Sequence, residues 1–170
     1  MIKNVETILV TQIEKEGYSS NLYLAMASWA ETQGLEGTAQ WLYAQAEEEK
    51  LHMLKIIKYV NERGGHAIIP AFKKPETNYK NVKNMFELVL IHEEFITKSI
   101  NEIVAVCNEE KDFTTLNWVQ WFVTEQIQEE KAPRAIIDKL KLLGDNNMYM
   151  FDKDVFAMRA AAEPNSPQPL

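Results

Sequence analysis

The sequence is short of the residues that staple, interrupt or anchor a chain. Its 170 residues hold one cysteine, Cys107, which has no internal disulfide partner and no second cysteine with which to form a CxxC metal or redox motif. Six glycines and six prolines leave long stretches free of breakers. No apolar run approaches the ~20 residues that span a bilayer. The opening Met-Ile-Lys-Asn-Val-Glu-Thr introduces charge too early for a signal-peptide core. Basic residues are outnumbered, 18 Lys and Arg against 25 Asp and Glu for a net charge of −7, which argues against nucleic acid as a partner. These absences imply a soluble cytoplasmic protein with no membrane association, kept in a reducing compartment. What is present, 46% apolar residues, suffices to bury the core of one domain without disulfides.

Four long segments carry helical periodicity, and the glycines and prolines fall largely between them. The first spans about Ile2 to Thr32 and the second about Leu35 to Arg63, joined by Gln33-Gly34 so tightly that the two must be antiparallel neighbours. Gly64 to Asn81, with Gly64-Gly65, Pro70 and Pro75, is too long for a hairpin turn and too broken for a helix, so it reads as a crossover along the bundle. A third helix, about Val82 to Glu109, turns near Lys111-Asp112 into a fourth, about Thr114 to Leu143, which Gly144 terminates. The expected fold is all-α: a four-helix bundle with a long second-to-third connection and a short fifth helix from Asn146 to about Ala161, carrying Met148, Phe151, Val155 and Met158. Residues 1–162 form one domain in this reading, and 163–170, with three prolines, a disordered tail.

Traced at steps of three and four, each core stripe is broken by an acid near mid-helix. The first runs Val5, Leu9, Ile13, Glu16, Ser20, Tyr23, Ala27; the second Leu35, Ala39, Leu42, Ala46, Glu49, Met53, Ile56, Val60, with His52 on much the same face as Glu49. The third runs Val82, Phe86, Val89, Glu93, Ile96, Ile100, Ile103, Cys107, and the fourth Val119, Phe122, Gln126, Glu129, Pro133, Ile136, Leu140. Mid-helix positions in a bundle share one cross-section, so Glu16, Glu49, His52, Glu93, Gln126 and Glu129 converge. A desolvated carboxylate costs several kcal/mol, and no stripe supplies a lysine or arginine to offset it. Hard metal ions suit four carboxylates and an imidazole, whereas tetrahedral zinc prefers more sulfur and nitrogen. Glutamates combined with Glu-x-x-His in a bundle core are the di-iron and di-manganese pattern. Glu49 can bridge two ions, Glu16 and His52 can hold one, and Glu93 and Glu129 the other.

At these residues the chain resembles the ferritins, most closely the bacterial non-haem type, from about Glu14 to Asp154. The matching pieces are Glu16-Gly17-Tyr18-Ser19-Ser20 with Tyr23, Ala46-Glu47-Glu48-Glu49-Lys50-Leu51-His52-Met53, His92-Glu93-Glu94, and Trp121-Phe122-Val123-Thr124-Glu125-Gln126 continuing to Glu129. The resemblance implies an iron-storage homo-oligomer, a hollow shell of 24 subunits. Each bundle oxidises Fe2+ with O2 at two irons and sends ferric mineral to the cavity. It implies Glu16, Glu49 and His52 as ligands of one iron and Glu49, Glu93 and Glu129 of the second, with Gln126 beside the site. It also sets Tyr23 in contact with the site, where a redox part and ordinary core packing both remain open. A third, more exposed site in such ferritins matches Glu48, Glu125, Gln128 and Glu129. Gln128 replaces a glutamate there, which weakens or abolishes that site.

Bacterioferritins resemble the chain less. They carry a second Glu-x-x-His where this sequence has Gln126-x-x-Glu129, and a haem-ligating methionine where it has Lys50, so no haem is expected and Met53 reads as core. Animal ferritins line threefold iron pores with carboxylates at positions corresponding here to Leu116 and Val119, which points to another route or to Glu109, Glu110 or Asp112. Pro133 predicts a kink just past the second iron position. His66 and His92 read as surface residues, and Cys107 as a small buried apolar one. Two alternatives stay open on residues alone: a di-iron or di-manganese oxidase or peroxidase that stores nothing, and an interaction bundle whose acids face water. The first would elute as a monomer or dimer. The second would bind no ferrous iron tightly and would tolerate Glu→Leu in the stripes.

Overall fold

The computed structural model describes residues 1–144 and 147–162, and the expected tail at 163–170 lies outside them. Five helices follow in order, with no strand among the described residues: α1 Lys3–Thr32, α2 Glu36–Glu62, α3 Val82–Glu109, α4 Phe113–Leu143 and α5 Met148–Ala162. The boundaries lie within about two residues of expectation, save that Asn146, the expected start of the fifth helix, lies outside the described residues. The α1–α2 turn uses Gly34 at φ 73°, a conformation that costs glycine nothing. Asp112 starts α4 by accepting from the Thr115 backbone N–H at 3.1 Å, and Asn81 starts α3 by accepting from that of Asn84 at 2.8 Å. Gly144, at φ 65°, ends α4 as anticipated. α4 runs through Pro133 without a break, and the proline itself is buried in the bundle.

α1 packs on α2, α3 on α4, and α1 on α3, with α5 against the start of α2 and the end of α4. The core is not one mass. One apolar cluster gathers Tyr23, Met26, Leu42, Phe86, Ile136 and Phe151. A second gathers Leu9, Ile13, Ile56, Ile100, Cys107 and Phe122 at the opposite end. Between them on every helix lie the positions occupied by acids. Burying apolar side chains above and below holds four helices in register, and that register brings the mid-helix residues to one height.

The crossover is tied down at several points. Asn61 Oδ1 accepts from the Ala67 backbone N–H at 3.0 Å, Phe72 sits over Gly17, and Tyr79 packs edge-on to Trp29 with centroids 5.3 Å apart. A Cβ on Gly17 would lie 2.3 Å from the Phe72 ring, so the smallest residue beside Glu16 seats the strap. His66 is exposed in this segment. α5 docks through Phe151 and Val155, both fully buried, and through Asp152, whose carboxylate accepts the Gly37 and Thr38 N–H groups at 2.8 and 2.7 Å. The α2 N-terminus has no cap of its own, so α5 supplies it. Val119 is fully buried among core residues. Asp112 is committed as well, to Thr115 and to Arg63 at 3.3 Å, and so is not a free acid for iron passage.

Because a Cβ at position 37 would meet the Asp152 carbonyl oxygen at 2.3 Å, Gly37→Ala is expected to displace α5 and cost about 1–3 kcal/mol. Thermal unfolding of that variant measures this; a Gly37→Ala chain as stable as the parent, or more stable as an unobstructed helical alanine would be, would contradict it.

Candidate metal centre

The side chains that interrupt the stripes meet in one dry layer. Glu16, Glu49 and Glu93 are each 1% exposed, His52 2%, and Gln126 and Glu129 6%. α1 contributes Glu16 and, two turns on, Tyr23; α2 contributes Glu49 and His52 one turn apart; α3 contributes Glu93; α4 contributes Gln126 and Glu129 one turn apart. Glu16, Glu49 and His52 each offer a ligand atom within 4.8 Å of the others, and so do Glu49, Glu93 and Glu129. Glu49 belongs to both triads. Two ions with one shared carboxylate is the arrangement such overlapping triads accommodate.

Each outer carboxylate is held by at least one neutral donor. Gln12 Nε2 donates to Glu16 Oε1 at 2.8 Å, and Ser99 Oγ donates to Gln12 Oε1, which sets which end of the amide faces the acid. The Tyr23 hydroxyl donates to Glu93 Oε1 and Gln126 Nε2 to Glu93 Oε2 at 3.3 Å. Gln45 Nε2 donates to Glu129 Oε2 at 2.9 Å. Two buried atoms facing this layer, Glu16 Oε2 and His52 Nε2, have no hydrogen-bond partner. An orphaned carboxylate oxygen and imidazole nitrogen in a dry site mark positions where a cation fits.

The electrostatics agree. Among the described residues no lysine or arginine is buried with the acids, and His52, with Nδ1 3.3 Å from Glu49 Oε2, is the basic group at hand. Burial, reinforced by Glu93 and Glu16, pushes Glu49 well above the ordinary carboxyl range. Burial, with Glu49 and Glu93, does the same to Glu129. Burial raises Glu93 to about 7, against the hydrogen bonds from Tyr23 and Gln126 that favour its charge. Tyr23 is pushed up by burial first and by Glu93 next, so its phenol stays protonated and donating. Without a cation the cluster holds protons in its place.

The more exposed acids are split. Glu48, half-buried, joins His52 and Glu129 in a third ligand group within 4.8 Å. Its carboxyl is raised by burial, with Glu125 adding to the rise and His52 opposing it. Gln128 is exposed and belongs to no such group among the described residues. Gln12, Ser99 and Gln45 were not anticipated from sequence. The signal available was spacing alone, since Gln12 lies four residues before Glu16 and Gln45 four before Glu49. His92 corrects its surface assignment: it is half-buried, bonded through Nε2 to Ser19 Oγ at 2.7 Å and packed edge-on to Tyr23. Burial lowers it to about 4, so it is neutral at physiological pH.

The family model for the ferritin-like domain matches residues 6–143. A probable bacterial non-heme ferritin-like protein of Haemophilus influenzae is 44% identical over 155 residues, covering 90% of this chain and 94% of that one. A bacterial non-heme ferritin of Campylobacter jejuni is 44% identical over 153 residues, covering 89% and 92%. Among solved structures, an open pore ferritin from the hyperthermophilic archaeon Archaeoglobus fulgidus superposes with a TM-score of 0.90 at 37% identity, over 92% of this chain and 96% of that one. The chain belongs to the ferritin family.

Because protons occupy the carboxyls that a cation needs, loading the metal-free chain with a divalent ion is expected to release protons. Raised carboxyls bind more protons folded than unfolded above about pH 4.5, so release is larger near pH 6.5 and smaller near pH 8.5, where Glu93, raised to about 7, has already ionised unaided. His92 is already neutral there and adds nothing. Anaerobic titration with Mn2+ in buffers of different ionisation enthalpy measures this, and release that grows with pH would contradict it.

Proposed function

We propose that the cluster binds two ferrous ions as substrate, oxidises them to ferric iron with O2, and delivers the product for storage inside a hollow homo-oligomeric shell of 24 copies. The observation that carries this is the burial of four carboxylates and one imidazole, in two triads sharing Glu49, with no lysine or arginine among them. Membership of the ferritin family and the names of the relatives support iron storage as the purpose.

In this reading Glu16 and His52 hold one ferrous ion, Glu93 and Glu129 the other, and Glu49 both. Four carboxylates match the charge of two ferrous ions, and their attraction grows when each ion loses an electron, so the site favours the ferric state. Two ferrous ions supply two electrons, which bring one O2 to the level of hydrogen peroxide. Gln12, Gln45, Gln126 and Tyr23 hold the carboxylates without adding positive charge that would compete with the incoming ion. The Tyr23 contribution here is to orient Glu93. Glu48 and Glu125 mark an acidic way out past Glu129, where neutral Gln128 leaves any third ion weakly held.

Glu49→Ala removes a ligand from both positions and is expected to slow ferrous oxidation by at least about 100-fold while leaving helical content unchanged. Stopped-flow traces equal to the parent would sink the assignment. The shell is tested separately by size: 24 chains of 19.6 kDa elute near about half a megadalton and retain many irons per chain after aerobic loading, whereas a non-storing enzyme elutes as a monomer or dimer.

A further inference from the structure

A continuous file of aromatic rings leaves the metal centre along the α2–α4 seam. His52 packs edge-on to Trp121 with centroids 5.4 Å apart, and Trp121 packs on Phe122 at 4.8 Å. Phe122 meets Trp118 at 5.3 Å, and Trp118 stacks on Tyr59 at 3.9 Å with planes 12° apart. His52 and Tyr59 are seven residues apart on one face of α2, about 10 Å along the axis. The file ends in a proton route. The Tyr59 hydroxyl donates to Thr115 Oγ1 at 2.9 Å, and Thr115 Oγ1 donates to Asp112 Oδ2 at 2.7 Å. Against the opposing effect of burial, the hydrogen bonds from the Thr115 hydroxyl and backbone N–H, with Arg63 3.3 Å from the other Asp112 oxygen, hold that carboxylate below its usual range and ready to accept.

We infer that Tyr59, through Trp118, Phe122 and Trp121, is a one-electron donor to the metal centre, serving when peroxide meets a single ferrous ion there. The inference rests on the reading of the cluster as a ferrous-oxidising centre, because that chemistry generates the peroxide. Cleaving the O–O bond to two hydroxide ions takes two electrons. A lone ferrous ion supplies one, and the other half of the peroxide would leave as a hydroxyl radical. In the proposed step the ferrous ion becomes ferric and Tyr59 gives the second electron. Its phenolic proton passes through Thr115 to Asp112, leaving a neutral tyrosyl radical.

Two features favour Tyr59 over nearer rings as the resting place of the oxidising equivalent. Lys55 Nζ sits 4.3 Å above the Trp121 ring, and a fixed cation there disfavours positive charge on that indole. The Tyr23 hydroxyl hydrogen-bonds to Glu93, a carboxylate that the bound ion itself requires, so its proton on oxidation would load a ligand, whereas the Tyr59 proton lands outside the site. A stacked Trp118–Tyr59 pair with its own carboxylate acceptor completes the transfer without disturbing a ligand.

The test is freeze-quench paramagnetic resonance on the assembled protein, loaded anaerobically with one ferrous ion per chain and mixed with hydrogen peroxide. The parent should give an organic radical whose hyperfine pattern narrows when tyrosine is ring-deuterated. Tyr59→Phe should remove that pattern and raise spin-trapped hydroxyl radical at least about twofold, and Thr115→Val, which cuts the proton route and leaves every ring in place, should diminish it. A tyrosyl signal lost in Tyr23→Phe but kept in Tyr59→Phe overturns the inference. So does the absence of any radical in a parent that oxidises ferrous iron normally. A parent that binds no ferrous iron overturns instead the reading on which it rests.

Discussion

Four carboxylates brought within a few ångströms in the dry middle of a helix bundle repel one another, and each has given up hydration worth several kcal/mol. Nothing in the surrounding core offsets this, since the apolar clusters above and below contain no cation. The cluster is tolerable only when protons or metal ions supply the missing charge. Glu49, Glu93 and Glu129 accordingly sit above the ordinary carboxyl range in the metal-free chain. Ion binding would exchange those protons for a stronger neutralising charge and so link folding, acidity and metal uptake through a single layer of side chains.

The rest of the molecule is arranged to bear that layer. The two apolar clusters at its ends hold the four helices in register on either side of the acids. The crossover closes over α1 by seating Phe72 on Gly17, next to Glu16. α5 closes the far end and caps α2 through Asp152. Both devices depend on glycine for a close approach rather than for a turn.

Polar neighbours of the site divide into two kinds. Amides and a phenol hold the outer carboxylates and carry no charge, so they fix geometry without reducing the pull on a cation. Glu49, which belongs to both triads, is contacted instead by His52 and its fellow acids. Beyond this shell, the aromatic file toward Tyr59 gives the centre a connection to a second buried acid, Asp112, which is satisfied by Thr115 and Arg63 and therefore keeps its charge.

The sequence by itself determined the all-α architecture, the two hairpins, the crossover and the convergence of Glu16, Glu49, His52, Glu93, Gln126 and Glu129. These follow from local causes: breakers sit between helices, and a 3.6-residue period puts an acid on each buried face near mid-helix. Tertiary structure alone decided what each of those groups touches. Gln12 and Ser99 are 87 positions apart, Tyr59 and Thr115 are 56, and Gln45 and Glu129 are 84; no periodicity along one helix reports which residue of another will face it. The same limit explains the corrections. His92 read as surface because its packing against Tyr23 and Ser19 comes from α1, and Asp112 could be considered for an iron route until the fold paired it with Thr115 and Arg63. Helical period fixes the direction of a side chain, but its partners depend on how two helices pack, and that packing is a property of the whole core.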